Sequence, residues 1–289
     1  MSEEEFPKNL IIDTTNFCNL KCIMCARRFM TRPKKNMSFS LFRKIIDEIA
    51  NESPSTRVWM AFYGEPLILR DTILWMIYYA KSSGLKSVLL NTNGNLLTAE
   101  ISKGLIELGL DELIIGVDAF TPENYKKIRV GGNYEKVLKN INQLLNFKKQ
   151  LNKDKPVVKV QIIEMDENKH EMEAFIKYWT DCGAIVKVRP KISWIGAIQN
   201  ERDPEKLRYP CYWCMKIMPI LCDGSVVLCG ADYDGKYIAG DINFHSIKEI
   251  WTGNLKKIRD YHKNRDFQSL PTFCQECTDW QDSQAEYYE

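Results

Sequence analysis

Thr14 to Arg27 reads TTNFCNLKCIMCAR, which places three thiols, Cys18, Cys22 and Cys25, at Cys-x3-Cys-x2-Cys spacing directly after an apolar run at Asn9 to Asp13. A short strand that runs into a ligand-rich loop is how a strand-helix unit opens, because functional loops gather at the carboxyl ends of parallel strands. The same alternation continues outward from this stretch. Further apolar or β-branched runs lie at Arg57 to Phe62, Ser87 to Asn91, Glu112 to Val117, Val157 to Ile163 and Ile185 to Arg189. Stretches of helical period separate them. Phe42, Ile45, Ile46 and Ile49 recur after the expected cap Ser40, and Thr98 precedes Leu105, Ile106 and Leu108. Tyr134 to Lys149 and Lys169 to Cys182 predict two more amphipathic helices. Repeated strand-helix units predict an α/β fold around a parallel sheet. Six units are fewer than the eight of a closed barrel, so the expectation is a partial (β/α)6, TIM-like barrel.

Beyond Arg189 the texture changes. Asn200 to Pro210 is polar and turn-rich, and after it come short pieces: Pro219 to Cys222, the turn Asp223-Gly224, then Ser225 to Cys229. That is the pattern of a hairpin. A helix is expected from Ser246 to Tyr261, followed by Pro271 and the pair Cys274, Cys277. The expected organisation is a barrel over 1–203 and a small hairpin-plus-helix domain over 204–289.

The 289 residues carry 40 Lys and Arg against 38 Asp and Glu, a net charge of +2, with 45% hydrophobic and 27% charged residues. Such a chain can bury a sizeable core without disulfide staples. Its near-neutral balance offers no footprint for nucleic acid. The amino terminus, Met1 to Glu5, is acidic rather than basic and apolar, and no long apolar run follows, so neither secretion nor a membrane partner is expected. The expected location is cytoplasmic. Ten cysteines in a reducing compartment point to metal rather than to disulfides.

Three thiolates in one loop suit a soft-metal or iron-sulfur site, whereas a closed zinc site wants a fourth ligand. On a 4Fe-4S cluster, three protein ligands leave one iron open to a small molecule. The alternative is a zinc knuckle that borrows a distant ligand.

Cysteines at this spacing, after the first strand of six strand-helix units, resemble those of the radical S-adenosylmethionine (radical SAM) enzymes. The resemblance implies that Cys18, Cys22 and Cys25 hold a 4Fe-4S cluster whose open iron chelates S-adenosylmethionine. It implies cleavage to a 5′-deoxyadenosyl radical that abstracts a substrate hydrogen, with an external electron donor such as flavodoxin or ferredoxin. Tyr63-Gly64-Glu65 is similar to the family's Gly-Gly-Glu motif, in which Glu65 and backbone carbonyls receive the methionine ammonium. Asn93, in Asn91-Thr92-Asn93-Gly94, resembles the Thr-Asn-Gly segment that meets the ribose. Gly116-Val117-Asp118 stands where relatives often have Ser-x-Asp, so Arg129 becomes the candidate for the methionine carboxylate, with a salt bridge as its rival role. Gln161 is a candidate on the adenosine side, and Met24 stands near the adenine.

Cys211-x17-Cys229 and, after a gap of 44 residues, Cys274-x2-Cys277 resemble the twitch domain, the single-cluster form of the SPASM extension. The resemblance implies a second 4Fe-4S cluster held by Cys211, Cys229, Cys274 and Cys277. Cys214 rivals Cys211 as a ligand. Four cysteines alone would equally make a structural zinc site. Cys182, Cys214 and Cys222 are left as spare thiols, either buried apolar residues or hydrogen-atom donors.

A second cluster suggests an electron acceptor. The arrangement is similar to that of the aminocyclitol dehydrogenase of aminoglycoside biosynthesis, which implies oxidation of a hydroxyl on a sugar, cyclitol or other small substrate. Only eight residues precede the first strand, so a small molecule or short peptide is expected rather than a substrate held by an amino-terminal recognition domain. The other outcomes weighed are a radical epimerase or peptide-modifying enzyme using a spare cysteine, and a zinc-binding structural module. No catalytic base stands out; Glu164, Arg189 and Lys191 lie at expected strand ends.

Overall fold

A computed structural model of the chain describes residues 5–200, 203, 205–282 and 286–288. Strands form at all six expected places: β1 Asn9–Ile12, β2 Arg57–Trp59, β3 Ser87–Thr92, β4 Glu112–Gly116, β5 Val157–Glu164 and β6 Ile185–Pro190. Each pairs in parallel with the next. Parallel neighbours require crossovers, supplied by α1 Phe39–Glu52, α2 Asp71–Ser82, α3 Ala99–Glu107, the pair α4 Pro122–Ile128 and α5 Tyr134–Gln150, and α6 Met172–Asp181. The result is a partial barrel.

Period-2 alternation divides each strand between two environments. Leu10, Ile12, Val58, Val88, Leu90, Val186 and Val188 face the helices and share one core with Phe42, Ile45, Ile46 and Ile49 of α1 and Phe175 and Trp179 of α6. Trp179 and Phe42 are among the largest fully buried side chains. Cutting either to alanine costs about 3–5 kcal/mol in such a core. The alternate positions, among them Arg57, Trp59, Glu112, Lys159, Gln161 and Lys187, face the inside of the barrel, and most are polar.

Three expectations about helices need correction. The cap of α1 is Ser38, whose hydroxyl accepts from the Leu41 amide at 3.2 Å; Ser40 already lies inside the helix. Lys169 to Glu171 form a 3-10 turn, and the α-helix begins at Met172. The single helix expected from Ser246 to Tyr261 is two, broken at Gly253, the junction residue that ends one and begins the next.

In the carboxyl-terminal part, α7 Tyr212–Lys216 leads into β7 Ile217–Ile220, and β8 Ser225–Val227 and β9 Ile238–Asp241 follow. Ile220 and Val226 pair antiparallel around the expected turn, where Gly224 supplies a φ of 98°. This hairpin joins the barrel sheet, because β7 lies parallel to β1 on the edge opposite β2. Helices α8 Ile247–Thr252, α9 Asn254–Lys263 and α10 Thr272–Glu276 come next, and β10 Glu286–Tyr288 pairs antiparallel with β6. The sheet order is β10-β6-β5-β4-β3-β2-β1-β7-β8-β9. The boundary expected near residue 203 falls beside residues 201, 202 and 204, which lie outside the described residues.

Candidate active site: two cysteine sites and the wall between them

The loop after β1 is pinned before it reaches its cysteines. The Thr14 hydroxyl donates to the Met60 carbonyl at 3.0 Å, and the Asn16 side chain donates to the Pro33 carbonyl at 2.9 Å while accepting from the Lys35 amide at 2.7 Å. Further along, the amides of Lys21 and Ile23 donate to the carbonyls of Val130 and Ile128. Cys18, Cys22 and Cys25 therefore project from a backbone tied at both ends. Burial pushes the Cys25 thiol up to about 11 and the Cys18 thiol up as well, and each thiol feels the charge of its neighbours in the loop. Thiols such as Cys18 and Cys25 that resist losing their protons suit a ligand that compensates their charge.

The second strand's loop packs directly on this one. The Glu65 amide donates to the Phe17 carbonyl at 2.8 Å, and a Cβ on Gly64 would overlap the carbonyl oxygen of Thr15. Only glycine permits that approach. Glu65 is buried, and its carboxylate accepts from the Leu67 amide, the Thr92 hydroxyl and the Asn93 amide at 3.1, 2.7 and 2.7 Å. Burial raises its pKa, partly offset by these donors. Asn93 in turn donates to the side-chain oxygen of Asn19 at 2.9 Å, between Cys18 and Cys22. Residues from three strand ends thus converge on the cysteine loop.

Arg129 forms an ion pair with Asp118 and points Nη1 at the Cys22 sulfur, 3.6 Å away. A Cβ at residue 116 would collide with this guanidinium. Glycine at 116, where the resembled motif carries serine, is thus the counterpart of an arginine at 129. Gln161 lies opposite Gly116 in the sheet register. Its Oε1, the Oδ1 of Asn91 and the Nε of Arg129 are buried without a hydrogen-bond partner among the described residues. Unpaired buried polar atoms are costly, and their gathering here is what a polar ligand in the barrel would relieve.

The second site is assembled from distant segments. Cys211 and Cys214 flank the first turn of α7, Cys229 follows β8, and Cys274 and Cys277 lie on and just after α10. All five line one cavity, together with Arg208, Trp213 and Ile195. The Cys214 thiol lies among Cys211, Cys229 and Cys274, and these neighbours and its burial push it well up, so this expected spare lies inside the ring. Cys214, with the help of His262 and Arg208, brings the Cys274 thiol down to about 5 despite burial. His262 is 0% exposed and has a ring nitrogen within 4.8 Å of the Cys214 and Cys274 sulfurs. Sequence reasoning missed it. The available signal was its place on the same face of α9 as Leu255 and Ile258, a polar residue in a buried stripe.

A thin wall separates the two sites. The Tyr63 hydroxyl donates to the Gly230 carbonyl at 3.0 Å, next to Cys229. Trp194 donates its indole N–H to the Met24 carbonyl at 2.8 Å and packs 5.8 Å from the Tyr63 ring. The next residue, Ile195, lines the second cavity. Trp194, Ile195 and Gly196 all have positive φ, at 53°, 58° and 78°, a strained run for non-glycine residues. Asp279, two residues after Cys277, holds it by accepting from the amides of Ser193 and Ile195 at 2.5 and 3.0 Å.

The remaining candidates are scattered. Glu164 and Lys191 line an exposed groove with Asp166 and Lys169. Cys182 lines an outer groove with Lys148 and Lys149, and Cys222 packs into the main core.

The sequence profile of the radical SAM superfamily matches residues 12–178, the stretch that carries the first site. The chain belongs to the radical SAM superfamily. A second profile, SPASM, an iron-sulfur cluster-binding domain, matches residues 211–278 and so takes in all five cysteines of the second site. These two matches support S-adenosylmethionine and iron-sulfur clusters as cofactors of this radical SAM enzyme. They replace the zinc-module alternative. A tungsten-containing aldehyde ferredoxin oxidoreductase cofactor-modifying protein of Pyrococcus furiosus is 28% identical over 180 residues, 61% of this chain and 49% of that one. A probable GTP 3',8-cyclase of Methanococcus maripaludis is 32% identical over 178 residues, 61% of this chain and 57% of that one. The chain thus spans about half the length of these curated relatives. Among solved structures, BtrN in complex with AdoMet and 2-DOIA superimposes with a TM-score of 0.67 at 17% identity, covering 94% of this chain and 92% of that one. SuiB of Streptococcus suis bound to its precursor peptide SuiA gives 0.74 at 13% identity, covering 94% and 71%. At such identities the likeness is one of fold. No helix among the described residues is long and apolar enough to cross a membrane.

Proposed function

We propose that this radical SAM enzyme is a two-cluster oxidoreductase that converts a hydroxyl of a small polar substrate to a ketone, with one-electron supply from a flavodoxin- or ferredoxin-type donor. The observation that carries the reading is the thin wall: the hydrogen bond from Tyr63 to the carbonyl beside Cys229 puts one side chain between the two cysteine sites. Cys18, Cys22 and Cys25 would hold the first cluster, and Cys211, Cys229, Cys274 and Cys277 the second. When bound, S-adenosylmethionine and the clusters would supply a radical that takes the carbinol's hydrogen atom and an acceptor for the one electron that the carbinol carbon then gives up, with the hydroxyl proton, on becoming a ketone.

The chain's own residues hold and orient. Glu65 and the carbonyls of Tyr63 and Gly64 offer acceptors to the methionine ammonium, beside a loop that their packing fixes. Arg129, with Nε unpartnered, offers its remaining donor to the methionine carboxylate. Gln161 and Asn93 offer amides on the adenosine side. Tyr63, Trp194 and Ile195 exclude water from the wall. The placement of Cys182 and Cys222 away from the barrel interior favours oxidation over an epimerase that quenches with either thiol.

Anaerobic reconstitution should load about eight irons per chain, and the reduced protein should release 5′-deoxyadenosine from S-adenosylmethionine. With a panel of cyclitols, amino sugars and sugar acids, turnover should give a ketone with no solvent deuterium at the reacting carbon. Uptake of zinc without iron, or stoichiometric deuterium in an unoxidised product, overturns the reading.

A further inference from the structure

Between the β1–β7 side of the sheet and its β6–β10 side, where the barrel does not close, lies a cavity of about 280 Å³. Its walls include Arg57, Trp59, Lys187, Arg189 and Trp213. Strand alternation dictates this lining: Val186 and Val188 take the helix side of β6, which leaves Lys187 and Arg189 on the inner side.

The charges inside do not balance. Glu112 is the acidic group beside these cations on the inner face, and its two oxygens are already taken, by Arg57 at 2.7 Å and by Lys159 at 2.6 Å. Asp118, above them, is paired with Arg129. Lys187 is only 3% exposed and has no carboxylate or hydrogen-bond partner among the described residues; its ammonium lies 5.3 Å from the Trp59 ring. Arg189 is likewise without a carboxylate and lies 5.8 Å from the Trp213 ring. Trp59 adds a buried indole N–H with no acceptor. Three donors, from Lys187, Arg189 and Trp59, therefore border one cavity with no acceptor for them among the described residues.

Lysine is almost never fully buried unless it is paired. Burial, then the like charges of Arg189 and Lys159, push Lys187 down to about 7. A solvated surface offers no such penalty, so an inward Lys-x-Arg on β6 asks for a counter-charge from outside the chain. Trp213 also lines the second cysteine site, which places an anion at Arg189 one indole ring from that site.

We propose that this cavity receives the acid group of the substrate, a carboxylate or a phosphate, with Lys187 and Arg189 as its counter-charges and the Trp59 indole as a further donor. The inference rests on the oxidoreductase reading and specifies its substrate class: an anionic molecule, anchored at the seam so that its neutral part extends into the barrel. A neutral or cationic aminocyclitol would leave both cations unpaired.

The test is equilibrium dialysis of the reconstituted protein, with S-adenosylmethionine present, against radiolabelled pyrophosphate and, separately, radiolabelled citrate. The proposal expects saturable binding of one of them, one per chain and weakened by salt, and the tighter ligand tells phosphate from carboxylate. Lys187→Met and Arg189→Gln should each weaken it roughly tenfold or more, the loss of one charge-assisted contact. Iron content and thermal melting of the variants report whether they fold; should either fail, the other variant and the wild-type isotherm decide. Absence of saturable binding of both anions to wild type, or unchanged affinity in a folded Lys187→Met, overturns the proposal. Wild-type release of 5′-deoxyadenosine separates the two readings. Release without anion binding removes the anion site alone, and anion binding without release removes the radical reading alone.

Discussion

The first cysteine site and the second differ in how far apart in the chain their parts lie. Cys18, Cys22 and Cys25 fall within one loop whose backbone is tied to Met60, Pro33, Val130 and Phe17-facing Glu65 by bonds that need no metal. The second site draws Cys211 and Cys214 from before β7, Cys229 from after β8, and Cys274 and Cys277 from the far side of α9. Those segments meet through the β7–β8 pairing, a small apolar cluster around the site, and bonds at its rim: Arg208 donates to the Cys274 carbonyl at 2.7 Å and Tyr209 to the Gln281 carbonyl at 3.1 Å. A site inside a pinned loop is preorganised by the fold, whereas a site between segments contributes to the fold. The two should therefore fail in different ways.

The largest effect is expected at the first site. Replacing Cys18, Cys22 and Cys25 together by alanine should reduce 5′-deoxyadenosine release to background while keeping about half of the iron. The melting temperature should change little, because the loop's anchors are main-chain and polar side-chain bonds that the substitution leaves in place. Full cleavage by this variant would break the assignment, and wholesale unfolding would break the claim that the loop is preorganised.

At the second site the order of symptoms should reverse. Cys229→Ala or Cys274→Ala should lose the other half of the iron and lower the melting temperature by roughly 5 °C or more, on a scale of about 2–4 °C per kcal/mol. Uncoupled cleavage should survive in whatever protein stays folded. The neighbouring pair sharpens the point. Cys211→Ala should lose iron like Cys229→Ala, whereas Cys214→Ala should keep about eight irons. The opposite result would make Cys214 the ligand, as its place on the same cavity as the other four allows.

What was legible in the sequence follows the same division. Six strands could be located because each is a dense apolar run between helices, and the first site because its spacing is local. The ring around Cys214 was not legible, since the spacing to Cys229 favours Cys211 and only the packing of α7 brings both inward. α2 gave no clear period: Trp75 and Tyr78 are 62% and 50% exposed, so apolar residues sit on both its faces. Ser38 and Ser40 are equally good caps by type, and only the backbone at the helix start distinguishes them. The wall of Tyr63, Trp194 and Ile195 depends on a clamp from Asp279 more than 80 positions away, which no local pattern encodes.

Gly116 and Arg129 illustrate a coupled pair of that kind, and they set a smaller expected effect. Gly116→Ser restores the residue of the resembled motif but puts a Cβ into the guanidinium. Overpacking of this sort costs about 1–3 kcal/mol. The displaced Arg129 should weaken S-adenosylmethionine binding by roughly tenfold, the equivalent of one lost charge-assisted hydrogen bond. The second site should be untouched, so iron content stays at the wild-type level. Unimpaired binding would show that Arg129 serves Asp118 and Cys22 alone.

The smallest effect is expected at the wall itself, where the two sites meet. Trp194→Phe removes the indole N–H that reaches the Met24 carbonyl and keeps most of the ring against Tyr63. A single neutral hydrogen bond contributes about 0.5–1.5 kcal/mol, so the melting temperature should fall by only a few degrees. If the wall merely fills space, substrate oxidation and uncoupled cleavage should fall together or not at all. If it keeps water out of the gap between radical and electron acceptor, oxidation per 5′-deoxyadenosine released should drop while cleavage itself is preserved. That ratio, unlike stability, responds only to what lies between the two sites, because each site's own ligands remain intact in this variant.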